Sequence, residues 1–85
     1  METTVAIRKI RETELPELLA LYRHLHVDDP PLEITKNIEQ LWQKICSDSN
    51  LHYFVAEIDS RLVSTCTLTV VPNLTRGARP YGLIE

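Results

Sequence analysis

The stretch Phe54-Val55-Ala56-Glu57-Ile58-Asp59-Ser60-Arg61-Leu62-Val63-Ser64 decides the fold. Two runs rich in apolar and β-branched side chains flank a short polar break, the pattern of two antiparallel strands joined by a tight turn. Read outward, the first strand begins at His52 and the second runs from about Arg61 to Val71. Alternation along the second strand sets Leu62, Cys66, Leu68 and Val70 on one face and Thr65, Thr67 and Thr69 on the other. This predicts a sheet with one face more buried than the other.

Upstream, Val5-Ala6-Ile7-Arg8-Lys9-Ile10 predicts another strand, with Val5 and Ile7 on one face. Thr13 is then positioned to cap a helix, Glu14 and Glu17 suit the positive end of its dipole, and Pro16 falls in the first turn, where its missing N–H costs little. Leu15, Leu18, Leu19, Tyr22 and Leu25 recur at helical spacing to about His26. Asp28-Asp29-Pro30-Pro31 ends the helix, because each proline disfavours the α conformation in the residue before it. Ile34, Ile38, Leu41, Trp42 and Ile45 repeat the stripe on a second helix, which runs out in Ser47-Asp48-Ser49-Asn50. Matching stripes predict two helices on one face of the sheet, with Tyr22 and Trp42 in the core.

Downstream, Pro72 to Pro80 reads as a loop and Tyr81-Gly82-Leu83-Ile84-Glu85 as the start of a fourth strand. That run stops with no turn, cap or polar tail. The expected fold is α/β, a β-α-α-β-β-β unit with a mainly antiparallel sheet and two helices, ending in the fourth strand and unfinished there.

The chain's 85 residues make one small domain or part of one. Apolar residues at 44% and charged residues at 25% match ordinary globular usage. A net charge of −3 and a pI near 5.6 lack the basic excess that phosphate backbones demand, so no nucleic-acid partner is expected. No apolar run approaches the roughly 20 residues that span a bilayer, and Met1-Glu2-Thr3-Thr4 has no signal-peptide character. The expectation is a cytoplasmic protein with no membrane partner, in which Cys46 and Cys66 stay reduced as small buried hydrophobes.

The element order, together with Ile7-Arg8, Thr13-Glu14-Leu15-Pro16-Glu17-Leu18, the hairpin quoted above and Asn73-Leu74-Thr75-Arg76-Gly77-Ala78-Arg79-Pro80-Tyr81-Gly82-Leu83-Ile84-Glu85, resembles the N-terminal half of a GNAT-family N-acetyltransferase, an acyl-CoA N-acyltransferase fold. The resemblance spans the whole chain and makes residues 1–85 a partial N-acetyltransferase domain. It implies acetyl-CoA as cosubstrate and a small-molecule or peptide amine as acceptor. Family members hold the pyrophosphate of acetyl-CoA on a glycine-containing loop just past the fourth strand, at a helix N-terminus, a ready anion site. That loop is absent here, so the cofactor-binding residues are unknown and the chain alone is expected to be inactive. Two departures are Ser64, where many members have glycine, and Asp59-Ser60, where Asp-Gly better fits a primed hairpin turn.

The resemblance implies a proton-accepting glutamate at Glu85 on the fourth strand. It also implies that the connection holding Asp28 and Asp29 forms a wall of the acceptor pocket, where paired carboxylates attract a cationic amine. His24, His26, Asp28, Asp29 and His52 contain the atoms of a metal site, but residues two apart on a helix point to nearly opposite sides, so none is expected. Arg76 and Arg79 read as a solvated loop face. An open sheet edge and uncovered apolar surface predict a homo-oligomer. A rival reading is a small α/β interaction module that self-associates through that edge.

Overall fold

The computed structural model describes residues 4–30 and 32–85, so Met1–Thr3 and Pro31, named above, lie outside the described residues. The elements are β1 (Val5–Lys9), α1 (Leu15–Leu25), α2 (Lys36–Ser47), β2 (Leu51–Ile58), β3 (Arg61–Val71) and β4 (Tyr81–Ile84). The strands form one antiparallel sheet in the order β1-β2-β3-β4. The expected α/β order holds throughout. Among the described residues, no helix is long and apolar enough to cross a membrane.

Between β1 and α1 the chain makes a 3₁₀ turn over Glu12–Glu14, and this turn corrects the expected cap. Thr13 lies inside it, and Glu14 takes the N-cap position of α1. The reason is Arg8. Its guanidinium holds the Glu14 carboxylate through two bonds, Nη1 to Oε1 at 2.7 Å and Nη2 to Oε2 at 2.8 Å, and its Nε lies 3.4 Å from Glu57 Oε2. The same carboxylate accepts the Arg11 backbone N–H at 2.8 Å. One ion network thus ties β1, β2 and the start of α1 together. At α2, Thr35 is a true cap: its Oγ1 accepts the Ile38 N–H at 3.3 Å, satisfying one orphan donor of the first turn.

The core is Leu15, Leu18, Leu19 and Trp42, with Ile10, Tyr22, Ile38, Ile45 and Tyr53 packed against it. The Trp42 indole N–H donates to the Glu12 carbonyl at 2.7 Å, and its ring meets Tyr53 edge-on at 5.4 Å. Trp42 and Tyr22 therefore belong to the core region as expected. Leu25 and Leu41, also on the stripes, stay half exposed, while Leu21, off the stripe, is buried.

The sheet corrects the face assignment. The register shifts by one residue between Ala56 and Glu57, which pair with Ser64 and Leu62 and leave Val63 as the extra residue of a bulge. Because side chains alternate, the bulge moves Leu62 onto the face of Thr65, Thr67 and Thr69 and separates it from Cys66, Leu68 and Val70. The helices cover this threonine face: Val55, opposite Thr65, is only 1% exposed, and Tyr53, opposite Thr67, packs under Trp42. The other face is open, and Val5 and Ile7 lie exposed on it. Cys66 shares that open face and Cys46 borders a hollow beside Glu12, Trp42 and Ile45, and both thiols are free and exposed, against the expectation of burial.

The Asp59-Ser60 turn has φ of +50° and +63°, the doubly left-handed geometry of a primed hairpin turn. A side chain costs energy there that glycine does not. Ser60→Gly is expected to stabilise the fold by about 0.5–1 kcal/mol, read as a higher urea midpoint with unchanged slope. No gain would show that the turn carries no such cost.

Arg8, aided by the Arg11 N–H, holds the Glu14 carboxyl at about 2, below its ordinary 4.5, against the opposing effect of burial. A carboxyl with a depressed folded value stabilises fully above its unfolded value and loses that contribution as pH falls through the folded one. Stability should therefore decline between pH 4.5 and about 2, and Glu14→Gln should flatten that part of the difference curve. Parallel curves for the two proteins would show that the pair contributes nothing.

Candidate functional site

The last strand puts Glu85 in the ladder. Its N–H donates to the Thr67 carbonyl and its carbonyl accepts the Thr67 N–H, both at 3.0 Å. This pairing continues the register of Leu83 on Thr69, so Glu85 stands on the face of Thr65, Thr67 and Thr69, the face that the helices cover. Neither helix extends over it, and the residue is exposed. A carboxylate on a fixed strand at the margin of a helical layer has a set position and free access to solvent.

Asp28 and Asp29 follow α1 in an exposed turn, in which the Asp29 N–H donates to the His26 carbonyl at 3.1 Å. Asp29 lines an open hollow of about 280 Å³ with Leu19, Tyr22, Arg23, His26 and Leu32; Asp28 does not line it. The pair is thus divided: one carboxylate borders a mostly apolar recess and the other faces solvent. The tilted rings of Tyr22 and His26, 6.4 Å apart, stand in one wall. Burial, then the neighbouring Tyr53, raises the Tyr22 phenol above its ordinary value, which keeps it a neutral hydrogen-bonding group. The sequence reading did not single out this recess, yet Leu19, Tyr22, Arg23 and His26 recur three or four apart along a helix, the spacing that puts them on one side.

The three histidines do not converge. His24 borders a separate hollow with Leu21 and the β2–β3 turn, His26 lies in the recess beside Asp29, and His52 stacks on Phe54 at 6.5 Å. Among the described residues no three metal-ligating side chains cluster. Arg76 and Arg79 are exposed around a left-handed turn at Arg76, Gly77 and Ala78, where the sequence reading expected a plain loop. Gly77 lies in that turn and Gly82 in β4, so neither stands at the start of a long helix.

A four-stranded antiparallel sheet with two helices on one face, open toward β4, defines a part of an acyl-transfer fold. A structure assigned as an acetyltransferase from Agrobacterium tumefaciens C58 aligns over 94% of this chain and 55% of its own, with 40% identity and a TM-score of 0.83. A Clostridium acetobutylicum structure, assigned as an acetyltransferase and solved with acetyl-CoA, covers 96% of this chain and 57% of its own at 17% identity, with a TM-score of 0.68. An aminoglycoside acetyltransferase from an uncultured soil sample, solved with sisomicin, covers 94% and 52% at 22% identity, with a TM-score of 0.72. No protein-family model matches the sequence, and no curated protein does. The chain has the fold of the N-terminal half of a GNAT-family N-acetyltransferase, as its residues implied, and it spans about half the length of the solved structures it matches. The matches favour this reading over a free-standing interaction module.

Proposed function

We propose that these 85 residues are the acceptor-side half of an enzyme that moves an acetyl group from acetyl-CoA to an amine, and that they are inactive alone. The observation that carries the reading is the 40% identity to the Agrobacterium acetyltransferase across nearly the whole chain. The relative solved with acetyl-CoA supports the donor, and the one solved with sisomicin supports a small amine-bearing acceptor.

Acetyl-CoA supplies the acetyl group as a thioester. A protonated amine has no lone pair with which to attack it, so the proton must leave first. Glu85, fixed by its ladder bonds to Thr67 and open to solvent, takes that proton directly or through one water. Asp29 at the rim of the apolar recess, with Asp28 beside it, draws in a cationic acceptor whose apolar part rests against Leu19, Tyr22 and Leu32. Bases work best when correctly positioned and matched to the operating pH, and the enclosing walls come from the other half of such a domain.

In an enzyme of full length carrying these residues, Glu85→Gln should lower turnover about 10²-fold or more near neutral pH while leaving acetyl-CoA affinity unchanged. Part of the loss should return as pH rises and more amine arrives neutral. Unchanged turnover with an unaltered pH profile would remove Glu85 from the chemistry. Replacing both Asp28 and Asp29 with asparagine should raise KM for cationic acceptors and spare neutral ones. Equal effects on both classes would leave the pair as residues that only end α1.

A further inference from the structure

The recess beside α1 carries both signs of charge. Arg23 lines it from the last turn of the helix, His26 from the C-cap and Asp29 from the turn that follows. Leu19, Tyr22 and Leu32 supply its apolar lining. All of these residues belong to α1 and its connection to α2, so the recess is built by the helical layer and not by the open face of the sheet. Among the described residues the ion pairs are those of Arg8 with Glu14 and Glu57. Arg23 and Asp29 thus border one hollow without neutralising each other.

Opposite charges held apart across a mostly apolar recess complement a ligand that carries both. Asp29 is the one carboxylate in the lining, since Asp28 stands outside it. A polycation would meet that single carboxylate together with a guanidinium of its own sign, and like charges set against each other disfavour a partner. Size narrows the choice further. At about 280 Å³ the recess lies at the small end of ligand pockets, which run from about 300 to 1,000 Å³.

We propose that the acceptor is an amino acid with a free carboxylate, and that Arg23 selects it by binding that carboxylate while Asp29 draws the ammonium. The proposal rests on the acetyl-transfer reading and specifies its acceptor. The carboxylate keeps its charge throughout the reaction, whereas the amine gives up its own before it attacks. Arg23 therefore retains the acceptor at the stage when Asp29 no longer attracts it. A guanidinium matches a carboxylate through two parallel N–H bonds. A phosphate dianion carries more charge than one arginine balances, which favours a carboxylate over a phosphorylated amino sugar.

The test uses an enzyme of full length carrying these residues and a panel of amino acids, each set beside the amine that lacks its carboxylate. Binding is read first, by calorimetry in the presence of CoA, so that it does not depend on turnover. One or more amino acids should bind about tenfold or more tightly than the matching amine. Arg23→Gln should erase that preference, weakening the amino acid by about 10- to 100-fold and leaving the amine within about twofold. Arg23 is exposed, so its loss removes no core packing, and an unchanged circular dichroism spectrum checks this. With acetyl-CoA the same change should appear in KM with kcat kept, because the contact holds ground and transition states alike. Amines that bind as tightly as their amino acids, or a preference that survives Arg23→Gln, would overturn the proposal. So would tighter binding of sisomicin or of an amino sugar phosphate than of every amino acid. Amino acids that bind with this selectivity yet receive no acetyl group would support the assignment of the recess and overturn the acetyl-transfer reading instead.

Discussion

The helical layer depends on Trp42. Its indole N–H closes a bond to the Glu12 carbonyl and its ring stands edge-on against Tyr53, so one side chain joins α2 to the 3₁₀ turn and to the sheet. A buried aromatic of this kind contributes several kcal/mol through area alone, and removing it typically costs about 3–5 kcal/mol. Leu15, Leu18 and Leu19 of α1 close around the same ring. Without it α2 would retain Ile38 and Ile45 as its main anchors, because Leu41 is half exposed and Ile34, expected on the same stripe, precedes the Thr35 cap.

The clamp of Arg8 on Glu14 complements that packing from the other end of the chain. A bidentate guanidinium–carboxylate pair fixes direction as well as distance, and here it sets where β1 stops and α1 begins. Hydrophobic burial decides that the helices lie on the sheet; the ion network decides at which point the chain turns toward them. Both act on the same face, and on that face stand the candidate residues: Glu85 at the β4 margin, and Asp29 on the recess beside α1. The candidate chemistry therefore lies on the covered side of the sheet.

Much of this was legible in the residues themselves. Helical spacing from Leu15 to Tyr22 and from Ile38 to Ile45, the run of β-branched residues on either side of Asp59-Ser60, and the proline pair after Asp29 are local signals, each set by backbone sterics and side-chain period. They determined the element order, the hairpin, the two helices on a common face and the central place of Trp42. The resemblance to the acetyltransferase family rested on the same local strings, which is why a 40% identical structure matches the chain nearly end to end.

The tertiary structure decided what alternation could not. A strict period of two places Leu62 with Cys66, but a single extra residue at Val63 reverses the parity, and only pairing with β2 exposes that shift. Alternation also cannot tell which face is covered. The threonine side of β3 lies under the helices, because Val55 and Tyr53 on β2 supply the apolar contacts there. The cysteines followed: Cys66 went with the open face and Cys46 with a hollow beside Glu12 and Trp42 that leaves it exposed. The Arg8–Glu14–Glu57 network was invisible for the same reason, since Arg8 and Glu57 stand 49 residues apart and meet only when β1 and β2 pair. Period and propensity act over a few residues and so could be read from the sequence; register, face and charge pairing act between strands and waited for the fold.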